Sequence, residues 1–223
     1  MPYGCLPLIL FIWFLLLLPF VFADIMLTAL GKLGVSPSVS VLIACGIFMG
    51  SLVNIPVKRI ARPARLEYDP LAFFGLGRFF SRKTFMQETV IAVNMGGCVV
   101  PCLVVLYELL RLTALGPWAV LAAVMTTALN AYICYKVARP IPQVGIAMPP
   151  IVPALAAAVS AYLLLPEMSA PVAFIAGVLG PLIGADLMHM EDIAGLDTPM
   201  ASIGGAGTFD GIVISGLVAT LLA

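Results

Sequence analysis

The sequence predicts an all-α fold, a polytopic bundle of about seven transmembrane helices in a single domain spanning residues 1–223. Three observations carry that expectation. Apolar residues make up 62% of the chain and charged residues 10%, with a mean hydropathy of +1.15, far from the composition of soluble domains. Seven apolar runs approach the roughly 20 residues that a helix needs to cross a hydrocarbon core of about 30 Å. The eleven Lys and Arg residues are also unevenly placed. Seven of them, Lys58, Arg59, Arg62, Arg65, Arg78, Arg82 and Lys83, fall in one loop.

The first run, Leu6 to Leu30, reads as a span. Val21-Phe-Ala resembles a small-residue cleavage site, but no Lys or Arg precedes the run and it is longer than a secretory core. The second run is Val39 to Val57, followed by the basic loop at about residues 58–88. Phe73, Phe74, Phe79 and Phe80 stand there among Arg78, Arg82 and Lys83, a composition suited to an amphipathic segment on anionic headgroups or to a solvated linker. The remaining runs are Thr89 to Leu110, Pro117 to Tyr135, Met148 to Leu165, Pro171 to Met188 and Gly205 to Ala223. The fifth and sixth are short, which implies tilt or local thinning of the bilayer. Placing the basic loop in the cytoplasm sets the amino terminus inside and the carboxyl terminus outside. Lys136 and Arg139 then also lie inside, and only Lys32 and Arg111 outside, as the positive-inside rule expects. This charge pattern orients a membrane protein and gives no reason to expect nucleic acid. The expected partner is the lipid bilayer, in the cell membrane of a bacterium or archaeon.

Ionisable groups inside apolar runs are costly and point to function. Asp186 stands in Gly180-Pro-Leu-Ile-Gly-Ala-Asp-Leu-Met and Asp210 in Gly204-Gly-Ala-Gly-Thr-Phe-Asp-Gly-Ile. Opposed directions of the sixth and seventh spans bring these two candidate catalytic carboxylates to similar depth. Asn54, Asn94 and Asn130 fall at about the same level and complete a candidate binding layer with Gly207 and Gly211. Other glycines nearby, such as Gly180, Gly184 and Gly216, permit close helix approach. The ends of spans two and six, and the helix starts Val93-Asn-Met-Gly-Gly and Phe209-Asp-Gly-Ile, carry a weak internal similarity. It makes Asn54 and Asn94 pseudo-equivalents of Asp186 and Asp210, as in a parallel repeat.

The five cysteines, Cys5, Cys45, Cys98, Cys102 and Cys134, form no CxxC pair and read as buried thiols. Cys98 and Cys102 share a helical face, where packing is preferred to ligation of a soft metal. The single histidine, His189, stands with Asp186, Glu191 and Asp192 at the cytoplasmic mouth. That group reads as a solvated acidic loop rather than a cation site. No metal and no cofactor is expected. No nucleotide-binding glycine loop, HExxH or serine elbow occurs.

Ser51-Leu-Val-Asn-Ile-Pro, Ala92-Val-Asn-Met-Gly-Gly, Pro181-Leu-Ile-Gly-Ala-Asp-Leu and Ala201-Ser-Ile-Gly-Gly-Ala-Gly-Thr-Phe-Asp-Gly-Ile resemble an uncharacterised prokaryotic membrane family, domain-of-unknown-function family 1614. That resemblance implies a polytopic membrane protein and supplies no activity. Separately, Gly207-Thr-Phe-Asp-Gly-Ile-Val-Ile-Ser-Gly-Leu-Val-Ala is similar to the Gly-x-Gly-Asp helix of intramembrane aspartyl proteases, the presenilin and signal-peptide-peptidase group. This second resemblance implies that Asp210 and Asp186 pair to activate a water for peptide cleavage. Phe209 stands where that motif has glycine, Asp186 follows Gly-Ala rather than tyrosine, and no span follows Asp210 to carry the Pro-Ala-Leu element. Pro153-Ala-Leu, at the start of the fifth run, reads as coincidence. Three function classes follow from the sequence: a diaspartyl protease acting on transmembrane peptides, a small proton- or cation-coupled transporter, and a membrane scaffold.

Overall fold

A computed structural model describes residues 5–61, 88–141, 145–193, 199–205 and 210–223. The chain is mostly helical. α1 (Cys5–Lys32) and α2 (Pro37–Gly50) lead into strand β1 (Asn54–Ala61). Strand β2 (Glu88–Asn94) follows, then a π turn (Met95–Val99) that runs straight into α3 (Val100–Thr113), and then α4 (Pro117–Val137). The short strands β3 (Arg139–Ile141) and β4 (Gly145–Ala147) precede α5 (Ile151–Leu164) and α6 (Ser169–Pro181). A second π turn (Leu182–Leu187), the single-turn α7 (Met190–Ile193), strand β5 (Met200–Ile203) and α8 (Gly211–Leu222) complete the chain.

Among the described residues, four helical stretches are long and apolar enough to cross a membrane: Leu6–Lys32, Met95–Thr113, Pro117–Val137 and Pro166–Leu187. α2, α5 and α8 are apolar but have 14, 14 and 12 residues. At 1.5 Å per residue they reach roughly 20 Å, short of a hydrocarbon core of about 30 Å.

The all-α expectation fails at one end of the bundle. Two of the apolar runs contain strands: the last residues of Val39 to Val57 lie in β1, and the first of Thr89 to Leu110 lie in β2. The reason is local. Gly50 and Pro56 interrupt the helical pattern of the first run, while Thr89-Val-Ile-Ala-Val in the second is rich in β-branched residues. β1 and β2 pair antiparallel with Asn54 opposite Asn94, and β2 pairs in parallel with β5, giving the order β1-β2-β5. A separate antiparallel ladder joins β3 and β4. Arg62, Arg65, the aromatic cluster Phe73 to Phe80 and the rest of the basic loop to residue 87 lie outside the described residues.

α6 is the axis of the bundle. Eleven of its 13 residues are buried, which is how a helix apolar on every side behaves when other helices surround it. A Cβ built on Gly177 would stand 2.9 Å from the Gly216 Cα, so α6 and α8 touch nearly backbone to backbone.

The two ends of the bundle differ in chemistry. At the end away from the sheet, the last carbonyls of the helices are tied to side chains. Lys32 Nζ donates to the Leu221 carbonyl at 2.7 Å, Ser169 Oγ to the Ala223 carbonyl at 2.9 Å, and Arg111 to the Leu33 carbonyl. Arg111 also pairs with the fully buried Glu108 carboxylate at 3.0 Å. These ties fix the C-terminal ends of α1, α3 and α8 at one level. α2, α4 and α6 therefore run toward the three-stranded sheet, where their C-terminal ends meet the candidate site.

Candidate functional site

At the sheet end, three chain segments are knotted by one asparagine. Asn94, fully buried at the end of β2, caps the first π turn by accepting the Gly97 N–H at 2.7 Å. Its amide donates to the Ser51 carbonyl at 2.8 Å and to Asn54 Oδ1 at 3.1 Å. Ser202 on β5 donates to the same Asn54 oxygen. Such a network satisfies the backbone that helix ends and strand starts would otherwise leave unpaired. It also fixes where β5 leaves the sheet. A Cβ on Gly97 would stand 2.0 Å from the Gly204 carbonyl oxygen. Gly204 itself adopts φ of 68°, a left-handed turn that suits glycine.

That turn faces the first candidate carboxylate. Asp186 is half-buried in the second π turn, and the Gly204 backbone N–H serves as its hydrogen-bond donor. π turns are rare insertions in helices and recur at functional sites. Asp210, also half-buried, stands at the cap of α8 with extended backbone (φ −71°, ψ 147°) and accepts the Ile212 N–H at 2.8 Å. A carboxylate is favoured there by the free N–H groups and the positive end of the helix dipole. Asp210 is near enough to act electrostatically on Asp186, and the Cys98 thiol lies within reach of both. Cys98 and Cys102 are hydrogen-bonded to each other.

The β3–β4 hairpin supplies an apolar flank. Ile146 and Met148 pack with Cys134, Ala138 and Ala185, the residue before Asp186. Met148 Cε would lie 3.7 Å from a Cβ on Gly211, the residue after Asp210. Met148 thus borders both carboxylate-bearing segments.

The structure divides the polar layer expected from the sequence. Asp186 and Asp210 lie within electrostatic reach of each other, and Asn54 bonds to Asn94 in the knot. Asn130 sits on the α4–α6 contact. It is fully buried on α4, donates to the Ala176 carbonyl at 2.8 Å and packs against Gly180. Gly211 begins α8, and Gly207 lies outside the described residues. Among the described residues no group of three His, Cys, Asp or Glu side chains gathers to hold a metal ion. His189 is buried rather than solvated, while Glu191 and Asp192 are exposed. Ser202, the Gly204 N–H and Met148 were not legible in the sequence. Each reaches the site through pairing between distant segments, and no local motif marks such pairing.

The match to a family of known sequence pattern covers residues 48–222, which includes every residue of this site. The chain belongs to the DUF1614 family, a family of proteins of unknown function. The DUF1614 region begins in the last turn of α2 and leaves all of α1 outside it. No curated protein and no solved structure matches the chain. These comparisons lend no support to the likeness between Gly207–Ala219 and the Gly-x-Gly-Asp proteases. For this DUF1614 protein, family membership and the apolar helices together describe a membrane-embedded protein, and the chemistry has to be argued from the carboxylates.

Proposed function

We propose that Asp186 and Asp210 form a diaspartyl acid–base site and that the protein acts on a transmembrane peptide, as an intramembrane protease-like hydrolase. One observation carries this reading: two half-buried carboxylates on consecutive apolar segments lie within electrostatic reach of each other. Two carboxylates in one weakly solvated site titrate as a unit, so one is able to hold a proton while the other polarises a water. The backbone N–H groups of Gly204 and Ile212 orient one carboxylate each. On this reading the protein is a multi-pass protein of a prokaryotic cell membrane. All seven longer helices cross or dip into the bilayer, with the amino terminus and the sheet inside and Ala223 outside.

A second reading, a proton- or cation-coupled transporter, is favoured by a different feature. Thr126, Thr127 and Asn130 on α4 hold buried side-chain oxygens that have no hydrogen-bond partner. Oxygens of this kind inside a bundle suit water or a cation.

The test replaces Asp186 and Asp210 by Asn, singly and together, and follows cleavage of co-expressed single-span substrates alongside proton-coupled flux in liposomes. Each single replacement is expected to abolish cleavage, and the double variant to be no worse, as for residues acting together. Wild-type cleavage in both single variants sinks the diaspartyl reading. Flux that depends on the aspartates without any cleavage selects the transporter.

A further inference from the structure

The chain's single histidine is unexpectedly well placed for a residue that reads as part of a solvated loop. His189 follows the second π turn, is 8% exposed, and directs its Nδ1 at two backbone carbonyls, Ala185 at 3.0 Å and Gly184 at 3.2 Å. Its ring lies against Tyr135 of α4, with centroids 4.9 Å apart. The Ala185 carbonyl belongs to the peptide bond whose nitrogen is that of Asp186, so the imidazole grips the peptide plane from which the Asp186 side chain departs.

Chemistry fixes the ring's protonation at that nitrogen. Carbonyl oxygens only accept, so Nδ1 must carry the proton, and in the neutral ring Nε2 carries the lone pair. α4 also holds the same turn at Gly184. A Cβ on Gly184 would stand 2.0 Å from the Ala131 carbonyl oxygen and 2.8 Å from the Cys134 Cβ. The π turn is thereby pinned between a glycine seated on α4 and a histidine stacked on the next residue of that helix, Tyr135. Helical segments that end in a π turn leave carbonyls without an α-helical partner. His189 directs a side-chain donor at two carbonyls of this turn.

We propose that His189 is a positioning residue for Asp186, acting through an Nδ1–H tautomer that clamps the Ala185–Asp186 peptide. Its functional meaning rests on the diaspartyl reading, but its test does not. Because the protein contains one histidine, ¹⁵N-histidine labelling in detergent micelles gives an imidazole spectrum with no assignment problem. At alkaline pH, where the ring is neutral, the proton-bearing nitrogen is expected to be Nδ1 and the bare one Nε2. A spectrum with the proton on Nε2 overturns the proposal without any variant being made.

The second measurement follows the Asp186 carboxyl carbon in ¹³C-aspartate-labelled protein, assigned by its loss in Asp186→Asn. In His189→Asn the amide nitrogen takes the place of Nδ1, whereas in His189→Gln it falls nearer the place of Nε2. The Asn variant is expected to keep the Asp186 signal in place, and the Gln variant to shift or broaden it. Equal behaviour of the two variants, whether both move the signal or neither does, overturns the proposal. The diaspartyl reading stands or falls separately, on the cleavage activity of the aspartate variants.

Discussion

Asn94 shows how much structure one side chain can carry. Its oxygen caps a π turn, and its amide joins the end of α2 to β1. A leucine, which keeps the branched outline without the polar atoms, would leave the Gly97 N–H, the Ser51 carbonyl and Asn54 short of partners in a buried setting. Each such loss costs about 1–3 kcal/mol, and a lost cap alone about 1 kcal/mol. Asn94→Leu is therefore expected to lower stability by roughly 3 kcal/mol or more, read as a loss of folded protein in a denaturant titration in mild detergent. Asn54→Leu, which removes fewer of these bonds, is expected to cost less. Equal and small effects for both would show that the knot is not what holds the sheet to the bundle. The internal similarity set Asn54, Asn94, Asp186 and Asp210 around one axis; the structure shows Asn54 and Asn94 in contact with each other. What it missed is the bond between them and the bond from Ser202 to Asn54, because the pairings that set Asn54 opposite Asn94 and Ser202 opposite Ala92 leave no trace in local spacing. The aspartates were legible for a simpler reason: a carboxylate inside an apolar run stands out whatever the fold around it.

Helices and strands were not equally legible. Long apolar runs gave α1 and α4 nearly to their ends, and α6 together with the π turn that follows it, since hydropathy is a property of a segment taken alone. The strands at the ends of α2 and α3 were absorbed into those runs, because Val, Ile and Ala raise hydropathy whether they lie in a helix or a sheet. The π turn at Leu182–Leu187 was equally invisible, yet a glycine in it can be tested directly. At Gly184 a methyl group would meet the Ala131 carbonyl at 2.0 Å, whereas at Gly31, within α1, it meets nothing within 4 Å. Gly31→Ala is expected to be neutral or stabilising by up to about 1 kcal/mol through helix propensity. Gly184→Ala must push α6 from α4, at about 1–3 kcal/mol or more for overpacking. If the turn presents Asp186, the same substitution also moves the Asp186 carboxyl signal. Thermal unfolding of the two variants side by side checks this, and equal midpoints would remove the close contact between α4 and the turn from the account.

At the scale of the whole molecule, the seven longer helices alternate between two chemically distinct ends. The sheet end carries Lys58, Arg59, Lys136 and Arg139 with the aspartate pair, while Lys32 and Arg111 occupy the other end and are already engaged with backbone carbonyls or Glu108. Four of the six described basic residues therefore lie at the end that holds the site, and the positive-inside rule counts such residues near the ends of spans. This arrangement predicts that the site opens to the cytoplasm. Two exposed positions report the two ends: Leu115, in the turn between α3 and α4, is 58% exposed, and Ile141, at the end of β3, is 41% exposed. In a background with the native cysteines replaced, Leu115→Cys is expected to react with a membrane-impermeant maleimide in intact cells. Ile141→Cys is expected to react only after permeabilisation. The reversed pattern would turn the site outward and would mean that the basic loop does not set the orientation. Reaction of both from one side would break the alternation itself, and with it the opposed approach of the sixth and seventh apolar segments that brings Asp186 to Asp210.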